Sequence, residues 1–309
     1  MFHEKKTLTK LVDKAMKMDG HTHMRPVIEK ELLHYDILFV LDKEKLLDKL
    51  TFQGGTSLRL CYGAVRFSED LDFVGGRSFA SGHLTEMKSC IEHYIGSKYG
   101  LDVIVKEPKE MAQEPQYRDI QVDKWQITVI SEPGRRHLPR QKIKIKVANI
   151  PAYSKIPRSL QQNYEFLPDG YADTLVMVES LEEIMADKLI SLVNCQAYIR
   201  HRDIWDLRWL RQQGVQINVE FIKAKLLDYK VIDYFKKLEK MRLRLPEIIH
   251  GKAFRDQMSR FIPLDVQERT LFKEKFYVFL TNETDLLFQG LAQILNTKDK
   301  KEWGDEFLI

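Results

Sequence analysis

The chain has 309 residues, of which 44% are hydrophobic and 30% charged, with a formal net charge of +4 at pH 7. That length holds one large core or two moderate ones, and the mild positive charge permits a polyanionic partner without demanding one. The three cysteines, Cys61, Cys90 and Cys195, lie far apart, which excludes a disulfide framework and a zinc knuckle and favours a reducing compartment.

Residues 5–18 and 26–49 read as helices, the second with Leu32, Leu33, Ile37, Leu38 and Leu41 at helical spacing. Between them, His21-x-His23 has metal-like spacing but no third ligand, so a solvated loop is expected. A strand–turn–helix–strand unit occupies 50–74, and a further helix is expected at 82–98. Extended segments follow at 101–106, 119–130 and 141–150, with Pro133-Gly134 turning between the last two. Residues 151–175 look irregular, because Pro151, Pro157 and Pro168-Asp169-Gly170 break any period. From 179 onward the pattern is helical. The sequence therefore predicts an α+β protein, with a mixed N-terminal lobe over 1–175 and a helical C-terminal lobe over 176–309. The charged N-terminal run, with no stretch of eighteen apolar residues, predicts a cytoplasmic protein without a membrane. Tyr94, Trp125, Trp205 and Trp209 fall at core positions.

The 50–74 unit carries the chemistry. Gly54-Gly55-Thr56-Ser57 opens a helix after an apolar step, and unpaired N–H groups at a helix N-terminus suit a phosphate. Period two then places Ser68, Asp70, Asp72 and Val74 on one strand face, with Leu71 and Phe73 on the core face. Two neighbouring carboxylates repel unless a cation sits between them, and hard oxygen ligands suit Mg²⁺. Either group alone is a weak signal, since most Asp-x-Asp pairs are solvated and a glycine pair can be a simple turn. Together they read as phosphoryl or nucleotidyl transfer.

Three later features ask for partners. Ser180 and Glu183 form a capping box that starts a helix, and Lys188 falls on its apolar stripe between Ile184 and Leu192. The amine either snorkels to solvent or is aimed at an anion such as a triphosphate. In Arg202-Asp-Ile-Trp-Asp-Leu, Asp203 and Asp206 share a helix face with Leu207 and Leu210. Either they complete a site or they are structural acids near a helix N-terminus. Arg135, Arg136, Arg140, Lys142, Lys144 and Lys146 make one strand face basic while Ile143, Ile145 and Val147 make the other apolar. That strand is either an edge protected by lysines or a phosphate track for RNA or a nucleotide tail.

Four stretches in order resemble one family: Phe52-Gln-Gly-Gly-Thr-Ser-Leu, Arg66-Phe-Ser-Glu-Asp-Leu-Asp-Phe, Ser180-Leu-Glu-Glu-Ile-Met-Ala-Asp-Lys-Leu and the Arg202 stretch. They are similar to the AbiEii/AbiGii-type nucleotidyltransferase toxins, MenT-type toxins included, of the polymerase-beta-like superfamily. The resemblance implies a nucleotidyltransferase-like mixed sheet with flanking helices. It also implies a bacterial toxin of a toxin–antitoxin or phage-defence pair, using NTP and Mg²⁺ to add nucleotides to the 3′ end of tRNA. On this resemblance Asp70 and Asp72 hold metal, while Gly54, Gly55, Thr56 and Ser57, with Ser68 beside them, bind phosphate. Lys188 contacts the nucleotide, and Asp203 or Asp206 completes a site shared by the two lobes. Superfamily members usually carry a third carboxylate on a later strand; here 142–147 offers lysines, with Asp123 a weak substitute. Transfer to a small molecule or protein is the second enzyme reading. A nucleotide-binding interaction protein without catalysis is the rival from another class.

Overall fold

The computed structural model describes residues 7–18, 20–111, 120–130 and 140–298. The Pro133-Gly134 turn, Arg135 and Arg136 lie outside these. The chain divides into two compact units, the break falling between Glu179 and Ser180.

The first unit begins with helices α1 (Leu8–Ala15) and α2 (Arg25–Lys43). A three-residue strand, β1 (Thr51–Gln53), runs directly into α3 (Gly54–Tyr62), and β2 follows at Leu71–Val74. Helix α4 (Met87–Tyr99) leads to β3 (Asp102–Lys106), β4 (Val122–Ile130) and β5 (Gln141–Ala148). The unit closes with β6 (Ile156–Ser159) and β7 (Leu175–Val178). The strands form one mixed sheet in the order β3-β4-β5-β2-β1-β7-β6. Strand β2 pairs antiparallel with β1 and parallel with β5, so the acid-bearing strand sits mid-sheet.

Two expectations change here. The span 151–175 is not wholly irregular, because β6 pairs with β7 as an edge strand, the place in a sheet that tolerates Pro157. The lysine strand β5 is not an edge: it is hydrogen-bonded on both sides, to β4 and to β2. Edge protection therefore does not explain its lysines.

Alternation along the central strands decides which face is core. Leu71, Phe73, Ile143, Ile145 and Val147 are all essentially inaccessible, each side chain contributing about 1.5–3 kcal/mol of hydrophobic stabilisation. Phe73 stacks on Phe52 of β1 at 4.9 Å between ring centroids. The opposite face of the same strands carries Asp72, Lys142, Lys144 and Lys146, and its column across the sheet runs Lys124–Lys146–Asp72–Gln53.

The described residues of the second unit form helices and connections with no strand: α5 (Leu181–Asn194), α6 (His201–Gln212), α7 (Val219–Asp228), α8 (Tyr234–His250), α9 (Lys252–Ser259), α10 (Leu264–Arg269) and α11 (Glu274–Lys298). Ser180 caps α5, its Oγ accepting the Glu183 N–H at 3.2 Å. The Glu183 carboxylate lies 2.8 Å from the ammonium of Lys225, and both side chains are wholly buried. Asp187 meets the same ammonium at 3.1 Å, joining α5 to α7 by charge as well as by packing. Trp205 and Trp209 are buried in this unit and Trp125 in the sheet, whereas Tyr94 is half-buried. Among the described residues no helix is long and apolar enough to cross a membrane.

Candidate functional site

The site grows from the β1–α3 junction. Gly54 takes φ of +79°, a backbone that L side chains rarely adopt. A Cβ there would come within 3.3 Å of Asp72 Oδ2, so the glycine also makes room for the acid. Gln53 and Asp72 are direct partners across β1 and β2, which sets the helix start beside the carboxylate. The first N–H groups of α3 have no partners within the helix and form an anion-binding end.

The hydroxyls of this turn serve the backbone. Thr56 Oγ1 donates to the Asp70 carbonyl, and Ser57 Oγ donates to the Gly54 carbonyl at 2.8 Å. Both residues are buried, as is Ser68. Gly54 and Gly55 are half-exposed. The surface this turn offers to a phosphate is therefore main chain, while Thr56 ties the helix to the acid segment. Arg66 is buried against Gly55, where any Cβ would collide with its guanidinium. The same Arg66 donates Nη1–H to the Phe67 carbonyl at 2.7 Å.

Asp70 lies one residue before β2 and Asp72 within it. Asp70 Oδ1 accepts the Lys144 backbone N–H of β5 at 3.2 Å. Its Oδ2 lies 3.1 Å from the ammonium of Lys146, and Asp72 Oδ1 lies 3.6 Å from that same nitrogen. Burial works to raise the Asp70 carboxyl, but the Lys146 ammonium and the Lys144 N–H outweigh it and hold the group below its ordinary range. Behind the pair, Glu69 turns to the other side, where Lys30 Nζ meets it at 2.7 Å. There the Nε2–H of His34 donates to the Glu69 carbonyl at 3.0 Å.

Two carboxylates thus face one ammonium, so oxygens of Asp70 and Asp72 border a common position that a cation occupies. Carboxylate oxygens are the donor type that hard divalent ions take. Among the described residues no group of three acidic, histidine or cysteine side chains could hold one. Asp123 does not supply the third acid: it pairs with Val147 in register, placing it on the face opposite Asp72 and Lys146. Its Oδ1 accepts from Gln121 at 3.2 Å.

In the second unit, Lys188 is met from within. Its ammonium lies 2.6 Å from Asp206 Oδ2 and 3.0 Å from Asp203 Oδ1, with all three side chains buried. Asp203 also receives the Arg200 guanidinium and, at 3.0 Å, the Ser191 hydroxyl. Burial raises the Asp203 carboxyl, yet Arg200 and Lys188 together hold it far below the usual range. Lys188 does not snorkel to solvent. The His21-x-His23 segment is a loop with His23 exposed, but His21 is not solvated: it is buried, with Nδ1 3.1 Å from the Ala15 carbonyl and its ring edge-on to Phe67.

Against this geometry stands one decisive match. The family described as nucleotidyl transferase AbiEii toxin, type IV toxin–antitoxin system, matches residues 36–280. The chain belongs to this family. It is a nucleotidyltransferase of the toxin class, and the family's type IV systems pair such a toxin with an antitoxin. No curated protein matches the chain. Among solved structures, MenT4, a nucleotidyltransferase toxin from Mycobacterium tuberculosis H37Rv, is similar at a TM-score of 0.56 and 16% identity, covering 96% of this chain and 94% of that one. JHP933 from Helicobacter pylori matches at a TM-score of 0.45 and 17% identity, covering 88% of this chain and 94% of that one. At such identities the MenT4 likeness is one of fold.

In this AbiEii-family chain the sequence brings the candidate stretches forward but leaves two of their partners unseen. Lys146 is visible in the sequence only as one lysine of a basic face, because nothing local announces that β5 lies beside β2. Arg66 stands inside a recognised motif without a role. Its signal is the glycine pair, which leaves room for a large buried side chain.

Proposed function

We propose that this toxin transfers a nucleoside monophosphate from an NTP to an RNA 3′ end, the acceptor being a tRNA. The observation that carries the proposal is the convergence of Asp70 and Asp72 on one cation position beside the N-terminus of α3. Backbone N–H groups of Gly54, Gly55 and Thr56 hold the triphosphate, with Ser57 and Ser68 beside them and the buried Arg66 supporting Gly55 from behind. Asp70 and Asp72 hold Mg²⁺, which supplies charge neutralisation at the α-phosphate and the departing pyrophosphate. Asp70 is fixed by the Lys144 N–H and the Thr56 contact to its own carbonyl, so its carboxylate is preorganised. The acceptor hydroxyl forms the new bond to the α-phosphate as the bond to pyrophosphate breaks.

The acceptor class rests on charge. Lys142, Lys144, Lys146 and Lys124 share the sheet face with the acid pair, and Lys106 stands opposite Gln126 on the same face. Such a face suits a polyanion and repels a cationic small molecule. For the second unit we carry over, on the family resemblance alone, Lys188 as the nucleotide-contacting cation and Asp203 or Asp206 as a further functional acid; their burial as a mutually paired set speaks for a structural role beside it. A cognate antitoxin in the same cytoplasm is the expected protein partner.

Incubating the chain with each labelled NTP, Mg²⁺ and total RNA, then separating the products on a gel, tests this reading. A labelled RNA band of tRNA size is expected, and a blank lane with every NTP contradicts it. One observation favours a second reading: Lys146 already offsets part of the acid pair's charge. A nucleotide-binding protein acting by sequestration would bind NTP and release no pyrophosphate.

A further inference from the structure

We propose that Lys146 is a resident counter-cation that occupies the metal position of the acid pair, so that a divalent ion binds there with the nucleotide and not ahead of it. This rests on the reading of Asp70 and Asp72 as metal ligands. It concerns the order in which that site fills.

Three observations carry it. The Lys146 ammonium lies 3.1 Å from Asp70 Oδ2 and 3.6 Å from Asp72 Oδ1, bridging the two acids that a metal would bridge. Its place follows from the sheet, since Lys146 and Asp72 are register partners in parallel strands and their side chains leave the same face. Its surroundings also resist a second cation. Lys124 stands directly opposite Lys146, and Lys144 is the next residue of β5 on that face. The lysine side chain is 16% exposed, against 27% and 36% for the two acids, so the contact is only partly screened by water.

An aqueous divalent ion alone must displace this ammonium and then endure its repulsion. An NTP brings several negative charges, which can draw Lys146 off the acids and take up its charge. Metal and nucleotide then bind cooperatively through the lysine, each improving the site for the other. Resting toxin would hold no metal, and the acid pair would stay partly compensated and in place without one.

The test is Mn²⁺ binding to the full chain, followed by the decline of the free-ion paramagnetic resonance signal, without nucleotide and with a non-hydrolysable NTP analogue. Lys146→Met should tighten nucleotide-free Mn²⁺ binding by roughly ten-fold, the scale of one charge-assisted hydrogen bond, and shrink the gain from the analogue. Lys146→Arg keeps the cation and should retain weak nucleotide-free binding, which separates charge from any general disturbance of folding. Unchanged or weaker Mn²⁺ binding by Lys146→Met overturns the proposal. If Asp72→Asn still abolishes Mn²⁺ binding in that case, the metal-ligand reading survives alone. Tighter binding by Lys146→Met that Asp72→Asn, introduced into the same variant, does not abolish overturns both.

Discussion

Lys146 stands directly across the β2–β5 ladder from Asp72, and its ammonium sits between that carboxylate and Asp70. The relationship joins sequence to function through register. Period two puts the acids on one face of their strand and the lysines on one face of theirs, and parallel pairing makes those faces the same. The proposed acid pair thereby meets a cation of the same chain.

The acid pair should be required for chemistry and dispensable for folding. Asp72→Asn removes one charge from a partly exposed position, and about a 10²-fold or larger loss of transfer is expected, as for other groups aimed at developing charge. Circular dichroism and the melting temperature should stay near those of the parent. Retained transfer in Asp72→Asn would remove this residue from the reaction.

Gly54 should accept no side chain. Gly54→Ala forces a left-handed backbone on an L residue, at a cost of about 1–2 kcal/mol, and pushes a methyl group toward Asp72 Oδ2. Both nucleotide affinity and melting temperature should fall. Gly63 is the control: it also has positive φ, but a Cβ there meets nothing, so Gly63→Ala should lower stability and leave nucleotide affinity intact.

Lys188 should matter to stability because its two acids lie buried with it. Lys188→Met leaves Asp203 and Asp206 without that ammonium and should destabilise the chain by about 3–5 kcal/mol. Replacing all three with apolar residues should recover most of that stability, measured by urea unfolding. Recovery of the fold without recovery of transfer is the outcome expected if Lys188 also contacts the nucleotide.

Asp203 also fixes the sign of an acid effect. Its folded-state carboxyl is held below the ordinary range, with burial opposed by Arg200 and Lys188. Such a group stabilises the fold above its unfolded value of about 3.9, and the benefit disappears as pH falls through the folded value. Unfolding should therefore become easier below about pH 4, and Asp203→Asn, already weakened at neutral pH, should show a shallower dependence.

RNA binding should depend on salt and on the basic sheet face. Removing Lys142 and Lys144 together should lower affinity across sequences. The slope of log affinity against log salt should shrink by about 0.7 for each single-strand phosphate that is no longer neutralised. Filter binding at several salt concentrations checks this. An unchanged slope would place the RNA elsewhere.

Much of the fold and site is legible in the sequence, and the limits are physical. Leu71 and Phe73 are readable as core because alternation is a local property. The same holds for the start of α5, which Ser180 announces by its side chain. The partner of Lys146 is not readable, since β2 and β5 are brought together by pairing across a long stretch of chain. The edge reading of β5 fails for the same reason: a strand does not encode how many neighbours it has. His21 reads as a solvated loop residue because what covers it includes Phe67, far along the sequence. Lys188 stands out by its apolar stripe, and Asp203 and Asp206 by theirs. Their mutual pairing is one of several arrangements the sequence leaves open.

Pyrophosphate release measures the central claim most directly, because it separates transfer from mere binding. With the cognate NTP, Mg²⁺ and tRNA, the parent chain should release one pyrophosphate for each nucleotide added, and Asp70→Asn should release none while remaining folded. Nucleotide binding with no pyrophosphate from the parent, or equal release from Asp70→Asn, would contradict the account.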